Sequence, residues 1–370
     1  MDDVIKKIFT VNLGVKKDET VIVFTDVAGP EKEPPGNERP KGEELREIAK
    51  AVARAGSTVC NTVYLEYPAL GQHGVEPPVA IWEAAFGKAA VDKLIEAKLL
   101  GKILSKKAGA DEIKAAGEII KTVGSAPDAV IALAHYSTSH TRFRSFLTRK
   151  GARYASMPLF DREMLGTAMT ADWKEVERRT MRLVKKMTGG DTVYITSHNG
   201  TSISFSIKGR EVQPDTGIIT APGSFSNLPA GEAFLAPVEG TAEGTLVLEW
   251  APTRRLAYPV ELYVKDGNVV DISGRDPFAD ELRGIIEREP LSANVAELGI
   301  GTNDKAKRPD NILETEKILG TVHVAIGDNS SFGGRVSVPF HEDFIFFRPT
   351  MEVIKGEDKT EILIDGEPRW

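Results

Sequence analysis

The sequence predicts two domains: an α/β N-terminal domain on a parallel sheet, then a mainly β (α+β) C-terminal domain. Three observations carry this. The chain has 370 residues, about two domains at roughly 150 residues each. Its first half alternates strand-like and helix-like segments, the pattern of strands joined by crossover helices. From Asp191 onward the texture becomes short strands and tight turns. The expected division is therefore 1–190 and 191–370.

ETVIVFTD (19–26) reads as a buried strand, followed by a loop rich in Pro, Gly and charge, AGPEKEPPGNERPKG (28–42). EELREIAKAVARAG is a helix that stops at Gly56, where a C-terminal glycine belongs. STVCNTVYLEYP is a strand, and PPVAIWEAAFGKAAVDKLIEAKLL gives one or two helices that start just after prolines. AVIALAHYS (129–137) and GARYASMP are further strands. ADWKEVERRTMRLVKKMTGG (171–190) is a helix ending in Gly189 and Gly190.

Beyond it, DTVYITSHNGTSISFSIKGREV is two strands around an Asn199-Gly200 turn, with another turn at Lys208-Gly209. GTLVLEWAP, YPVELYVKDGNVVDISG and KTEILIDGE continue the series, with a hairpin turn at Asp266-Gly267. PFADELRGIIERE is a helix, and ILETEKILG a short one.

A net charge of -7 and a pI near 5.6 argue against nucleic-acid binding. No apolar run nears the ~20 residues that span a bilayer, and the N-terminus lacks a secretory signal. The single Cys60 cannot pair within the chain, which fits a reducing cytoplasm; its apolar surroundings mark it as a buried structural thiol. GIGTN and GDNSSFGG match neither GxxxxGK[ST] nor GxGxxG after a strand, so they read as turns. HYSTSHTRFR (135–144) offers no placed acid for a triad and reads as structural.

The chemistry lies in the second half. VPFHEDFIFF (338–347) sets His341, Glu342 and Asp343 inside an apolar run. The fifth position of an HExxH motif is Ile345, so that motif fails. On a strand His341 and Asp343 share a face and Glu342 takes the other. A His–Asp hydrogen-bonded pair without metal is the plain alternative to a metal site. Of only six histidines, His323 lies in another apolar strand pattern, GTVHVAIGDN. Glu297 in ANVAELGIGTN and Glu232 in SNLPAGEAFLAP are carboxylates among small and apolar residues, where an unpartnered charge is costly. These five groups suit two metals sharing a bridging carboxylate and a water. They equally suit one metal on His323, His341 and Asp343, the facial triad of non-haem iron oxygenases. Spacing does not decide between them.

NLPAGEAFLAP (227–237), AELGIG (296–301), VHVAIG (322–327) and HEDF (341–344), in that order, resemble the thermophilic aminopeptidases of the aminopeptidase T and S type. The resemblance implies two divalent ions (zinc, cobalt or manganese) on Glu232, Glu297, His323, His341 and Asp343, with Glu232 or Glu297 as general base. It implies a cytoplasmic homodimeric metalloprotease: a hydrolase removing N-terminal residues from short peptides, with the N-terminal domain restricting access. One position departs: the family's tyrosine seven residues after the histidine of VHVAIG is Ser330, and no tyrosine follows Tyr263. A ring-cleaving dihydroxypyridine dioxygenase family looks like a divergent branch of the same fold. It implies a single Fe(II) on His323, His341 and Asp343. The sequence expectation is the aminopeptidase, with the dioxygenase as alternative.

Overall fold

A computed structural model describes residues 2–27, 39–252 and 254–370; most of the loop expected at 28–42 lies outside the described residues. The chain forms two compact units, Met1–Thr170 with Gly217–Pro229, and Ala171–Thr216 with Ala230–Trp370. This grouping departs from the expected division after residue 190. The helix Trp173–Met187 puts Leu183 and Met187 into the core of the second unit, so the break precedes the helix. The segment Gly217–Pro229 returns to the first unit because its strand Phe225–Asn227 pairs in parallel with Arg153–Ser156.

The first unit is built on a five-stranded sheet in which Asn61–Pro68, Thr20–Val27, Ala129–Ala132, Arg153–Ser156 and Phe225–Asn227 lie in that order. Every pairing is parallel. Val21, Ile22, Val23 and Phe24 are all buried, the unbroken apolar run of a strand covered on both faces. The helix after Pro78 is two helices, Val79–Phe86 and Lys88–Glu96, broken at Gly87, whose φ of 81° suits glycine. A helix at Ala110–Val123 has no counterpart among the sequence expectations.

Two buried acids tie the HYSTSH region down. Asp26, ending the first strand, accepts the backbone N–H groups of His135 and Tyr136 at 2.6 and 3.1 Å. Glu76 accepts those of Arg142 and Phe143 at 2.6 and 3.0 Å. Burial pushes both carboxyls up and the amides pull them down, with burial the larger effect.

The second unit packs an eight-stranded sheet and a five-stranded sheet onto one core. The five-stranded sheet runs His341–Phe346, Val322–Gly327, Val295–Gly301, Glu232–Leu235, Gln213–Asp215, all antiparallel. Alternation sorts its residues. Val322, Val324, Ile326, Leu298, Ile300, Phe344 and Phe346 enter the core, each full burial contributing about 1.5–3 kcal/mol. The opposite face carries His323, Ala325, Glu297, Gly299, His341 and Asp343. In register, Ala325 sits between Glu297 and Asp343, and His323 between Gly299 and Ile345. Small residues thus alternate with the titratable ones and leave room above the sheet.

Candidate metal centre

Four adjacent strands bring all five expected residues together. His323 Nε2 lies 3.4 Å from Glu232 Oε2 and 3.5 Å from Glu297 Oε1. His341 Nε2 lies 3.4 Å from Glu297 Oε2 and 3.6 Å from Asp343 Oδ1. Acids and imidazoles therefore alternate in a row, with Glu297 between the two rings. Glu342 turns the other way, as strand alternation requires, and burial pushes its carboxyl up to about 7. His341 Nδ1 is 2.7 Å from the Asp328 carbonyl oxygen. The N–H on Nδ1 donates there, which makes Nε2 the nitrogen that faces the centre and the one that would bind a metal after losing its proton.

The row carries the marks of a cation site. Glu232 Oε2, His323 Nδ1 and Asp343 Oδ1 are buried with no hydrogen-bond partner among the described residues. The imidazole contacts of the two carboxylate oxygens, at 3.4 and 3.6 Å, are ion-pair approaches and not hydrogen bonds. Donor atoms of Glu297, His323 and Asp343 all fall within 4.8 Å of one another, as do those of Glu232, Glu316 and His323. Gly299 makes the room: a Cβ there would sit 1.9 Å from His323 Nε2. The donor set of carboxylate and imidazole suits a divalent transition metal.

Burial pushes His323 down, but the Glu297 contact and the charges of Glu232, Asp343 and Glu297 outweigh it and bring the imidazole up to about 9. His341 likewise stands well above its ordinary value, with burial opposed by Asp343 and Glu297. Glu297, which burial alone would raise, is held down at about 2 by the two imidazoles. Two protonated rings thus balance the carboxylates, and a metal would displace those protons.

Sequence reasoning missed a sixth member. Lys317 has no exposed surface, and its Nζ lies 2.6 Å from Glu232 Oε1 and 2.7 Å from Glu316 Oε1, with Asp215 Oδ2 at 4.0 Å. Burial pushes Lys317 down, but its carboxylates carry it far above its ordinary value. Glu316 is pushed by burial up to about 8. The short helix expected over ILETEKILG spans only Ile312–Thr315, so Glu316 and Lys317 follow it in a turn. The one available signal was Ile318 and Leu319 directly after the lysine.

The other residues weighed from sequence have plain roles. Ser330, at the tyrosine position, is exposed and donates to Asp328 Oδ1 at 2.9 Å. Asn329 is buried; its side chain donates to Glu239 at 3.1 Å and accepts the Val336 N–H at 2.9 Å, which closes the loop before His341. A narrow crevice lined by Trp250, Pro252, Pro309, Ile312 and Ile345 reaches Asp343. A roomier hollow of about 420 Å³ in the first unit, bordered by Lys114, Arg142 and Arg149, contains none of the five residues.

With this geometry in hand, comparison decides the family. The model of the NicX family, 2,5-dihydroxypyridine 5,6-dioxygenase, matches residues 87–367. The chain belongs to this family. Among solved structures it is similar to the 2,5-dihydroxypyridine dioxygenase from Pseudomonas putida KT2440, at 16% identity and a TM-score of 0.67, covering 99% of this chain and 96% of that one. It is also similar to wild-type AmpT from Thermus thermophilus, at 14% identity and a TM-score of 0.61, covering 100% and 98%. At these identities the structures show a shared fold. No curated protein matches in sequence.

Family membership corrects the expectation of a metal-dependent aminopeptidase. The hydrolase and protease assignment, with its short-peptide substrate, is overturned by the dioxygenase family match over three quarters of the chain. The cause is physical: the strand motifs that carried the resemblance build the sheet of a fold that the two solved structures share, and a fold does not encode the reaction. No helix among the described residues is long and apolar enough to cross a membrane.

Proposed function

We propose that this chain is a non-haem Fe(II) dioxygenase that opens a dihydroxylated aromatic ring of the dihydroxypyridine class. His323, His341 and Asp343 would hold the metal, with Glu297 between the two imidazoles. The observation that carries the reading is the buried, unpartnered Glu232 Oε2, His323 Nδ1 and Asp343 Oδ1 in a chain of the dioxygenase family. Fe(II), when bound, supplies the electron exchange that lets dioxygen react with an electron-rich ring.

The chain's own groups do the rest. The Asp328 carbonyl orients His341 through Nδ1, and Gly299 gives His323 its space. Glu297, a carboxylate down to about 2, is a poor proton acceptor and serves to hold both rings in place. Glu232 keeps Oε2 on the site while Oε1 is bound to Lys317, so Oε2 is the oxygen offered to a ring hydroxyl proton. Trp250, Pro309, Ile312 and Ile345 are apolar neighbours that pack closely beside Asp343 and exclude water from that side of the carboxylate.

The test is oxygen uptake by protein loaded anaerobically with Fe(II), presented with 2,5-dihydroxypyridine and related dihydroxy aromatics. Consumption of one dioxygen per ring with loss of the aromatic absorbance is expected. Iron-loaded, folded protein that consumes no oxygen with any of them removes the proposal.

A further inference from the structure

We propose that the Lys317 ammonium is a built-in cation that fills the second cation position of this centre, so that the chain holds one metal ion and not two. This rests on the single-metal reading above and deepens it. The five-residue row has more donors than one ion needs, and Glu232, Glu316 and His323 form a second group whose donor atoms lie within 4.8 Å of one another. Into that group the structure inserts a lysine with no exposed surface. Its Nζ takes Glu232 Oε1 at 2.6 Å and Glu316 Oε1 at 2.7 Å, and faces Asp215 at 4.0 Å. A buried ammonium persists only where carboxylates compensate it. Glu232 and Glu316 are two of the three residues of that group, so the ammonium already occupies acids that a second divalent ion would need, and its positive charge opposes another cation beside it.

The placement is structural and not an accident of a flexible side chain. The Lys317 N–H donates to the Glu314 carbonyl at 3.0 Å, and its own carbonyl accepts the Asn303 N–H at 2.9 Å. Gly301, which pairs with Glu232 across the sheet, lets this turn press onto the strand: a Cβ there would lie 2.0 Å from the Ile318 carbonyl oxygen. The backbone therefore delivers the lysine to the acid.

The experiment counts metal by elemental analysis and calorimetric titration, using Co(II) and Fe(II) on stripped protein, with circular dichroism to check the fold. Wild type is expected to bind one equivalent. Lys317→Met is expected to bind a second, and the double variant Lys317→Met/Glu316→Gln to return to one. Glu232→Gln alone should keep one, since Glu232 serves the lysine. Two equivalents in wild type, or a folded Lys317→Met that still binds one, overturns the inference and, in the second case, leaves the single-metal reading standing. Wild type binding none overturns both. Should Lys317→Met fail to fold, Glu232→Gln decides: loss of the single equivalent there makes Glu232 a ligand and overturns the inference.

Discussion

Both units bury carboxylates, and they use them in opposite ways. In the first, Asp26 and Glu76 each spend both oxygens on backbone N–H groups of the segment 135–143. In the second, Glu232 Oε2 and Asp343 Oδ1 have no hydrogen-bond donor among the described residues and face imidazoles instead. A buried acid whose lone pairs are satisfied by the main chain is a fastener. One whose oxygens converge with other acids and imidazoles is costly to the fold unless a cation arrives. Burial alone separates neither kind; the identity of the partner does.

The sharpest way to break this contrast is to remove a donor from the second unit. His341→Ala or Asp343→Ala should lower bound metal from about one per chain to near zero and cut oxygen uptake by at least about 100-fold, with the circular dichroism spectrum unchanged. Retained metal in either variant would make the row a structural network like that of the first unit. The converse variant, Asp26→Ala, strands two backbone donors and should cost about 2–5 kcal/mol of stability in denaturant titration, leaving metal content per folded chain as in wild type. A milder probe is Gly299→Ala. Its methyl must displace the His323 ring, and metal affinity should fall roughly 10- to 100-fold with little change in melting temperature.

The smallest effect is a pH dependence. His323 stands at about 9 in the folded, metal-free chain against an ordinary 6.5. Because its folded value is raised, the stability it contributes is fully present below pH 6.5 and fades as pH rises through 9. Metal binding runs the other way, since the ion needs the neutral ring, so affinity should climb over that window with measurable proton release. Affinity flat from pH 6.5 to 9 would mean the imidazole is not a ligand.

Much of the site was legible because strands write their faces in alternation. His341 and Asp343 two apart, a histidine in VHVAIG, and single acids in AELGIG and AGEAFL could be assigned to one polar face of otherwise apolar strands. The parallel sheet was legible for a similar reason, in runs such as VIVF. Lys317 was not legible: Glu-Lys beside a short helix has the composition of a solvated surface pair, and only the turn that folds it over Gly301 buries it. The helix Trp173–Met187 was legible as a helix, but the core that its apolar face joins depends on long-range packing, which placed the division wrongly. The reaction was the least legible, because one fold hosts different chemistry and the donor residue types fit more than one metal arrangement.

The Asp328 contact has a consequence for anyone scanning this centre by mutagenesis. What fixes the ring of His341 is a peptide oxygen, and no side-chain replacement at 328 deletes a peptide oxygen. A survey by alanine would report there only on the contacts that the Asp328 carboxylate accepts from Ser330 and Val338, and would leave the peptide oxygen untested. The dependence can be reached only by tilting the peptide plane, and the handle for that is Gly334, where any added carbon would collide with the Asn329 amide at 1.9 Å.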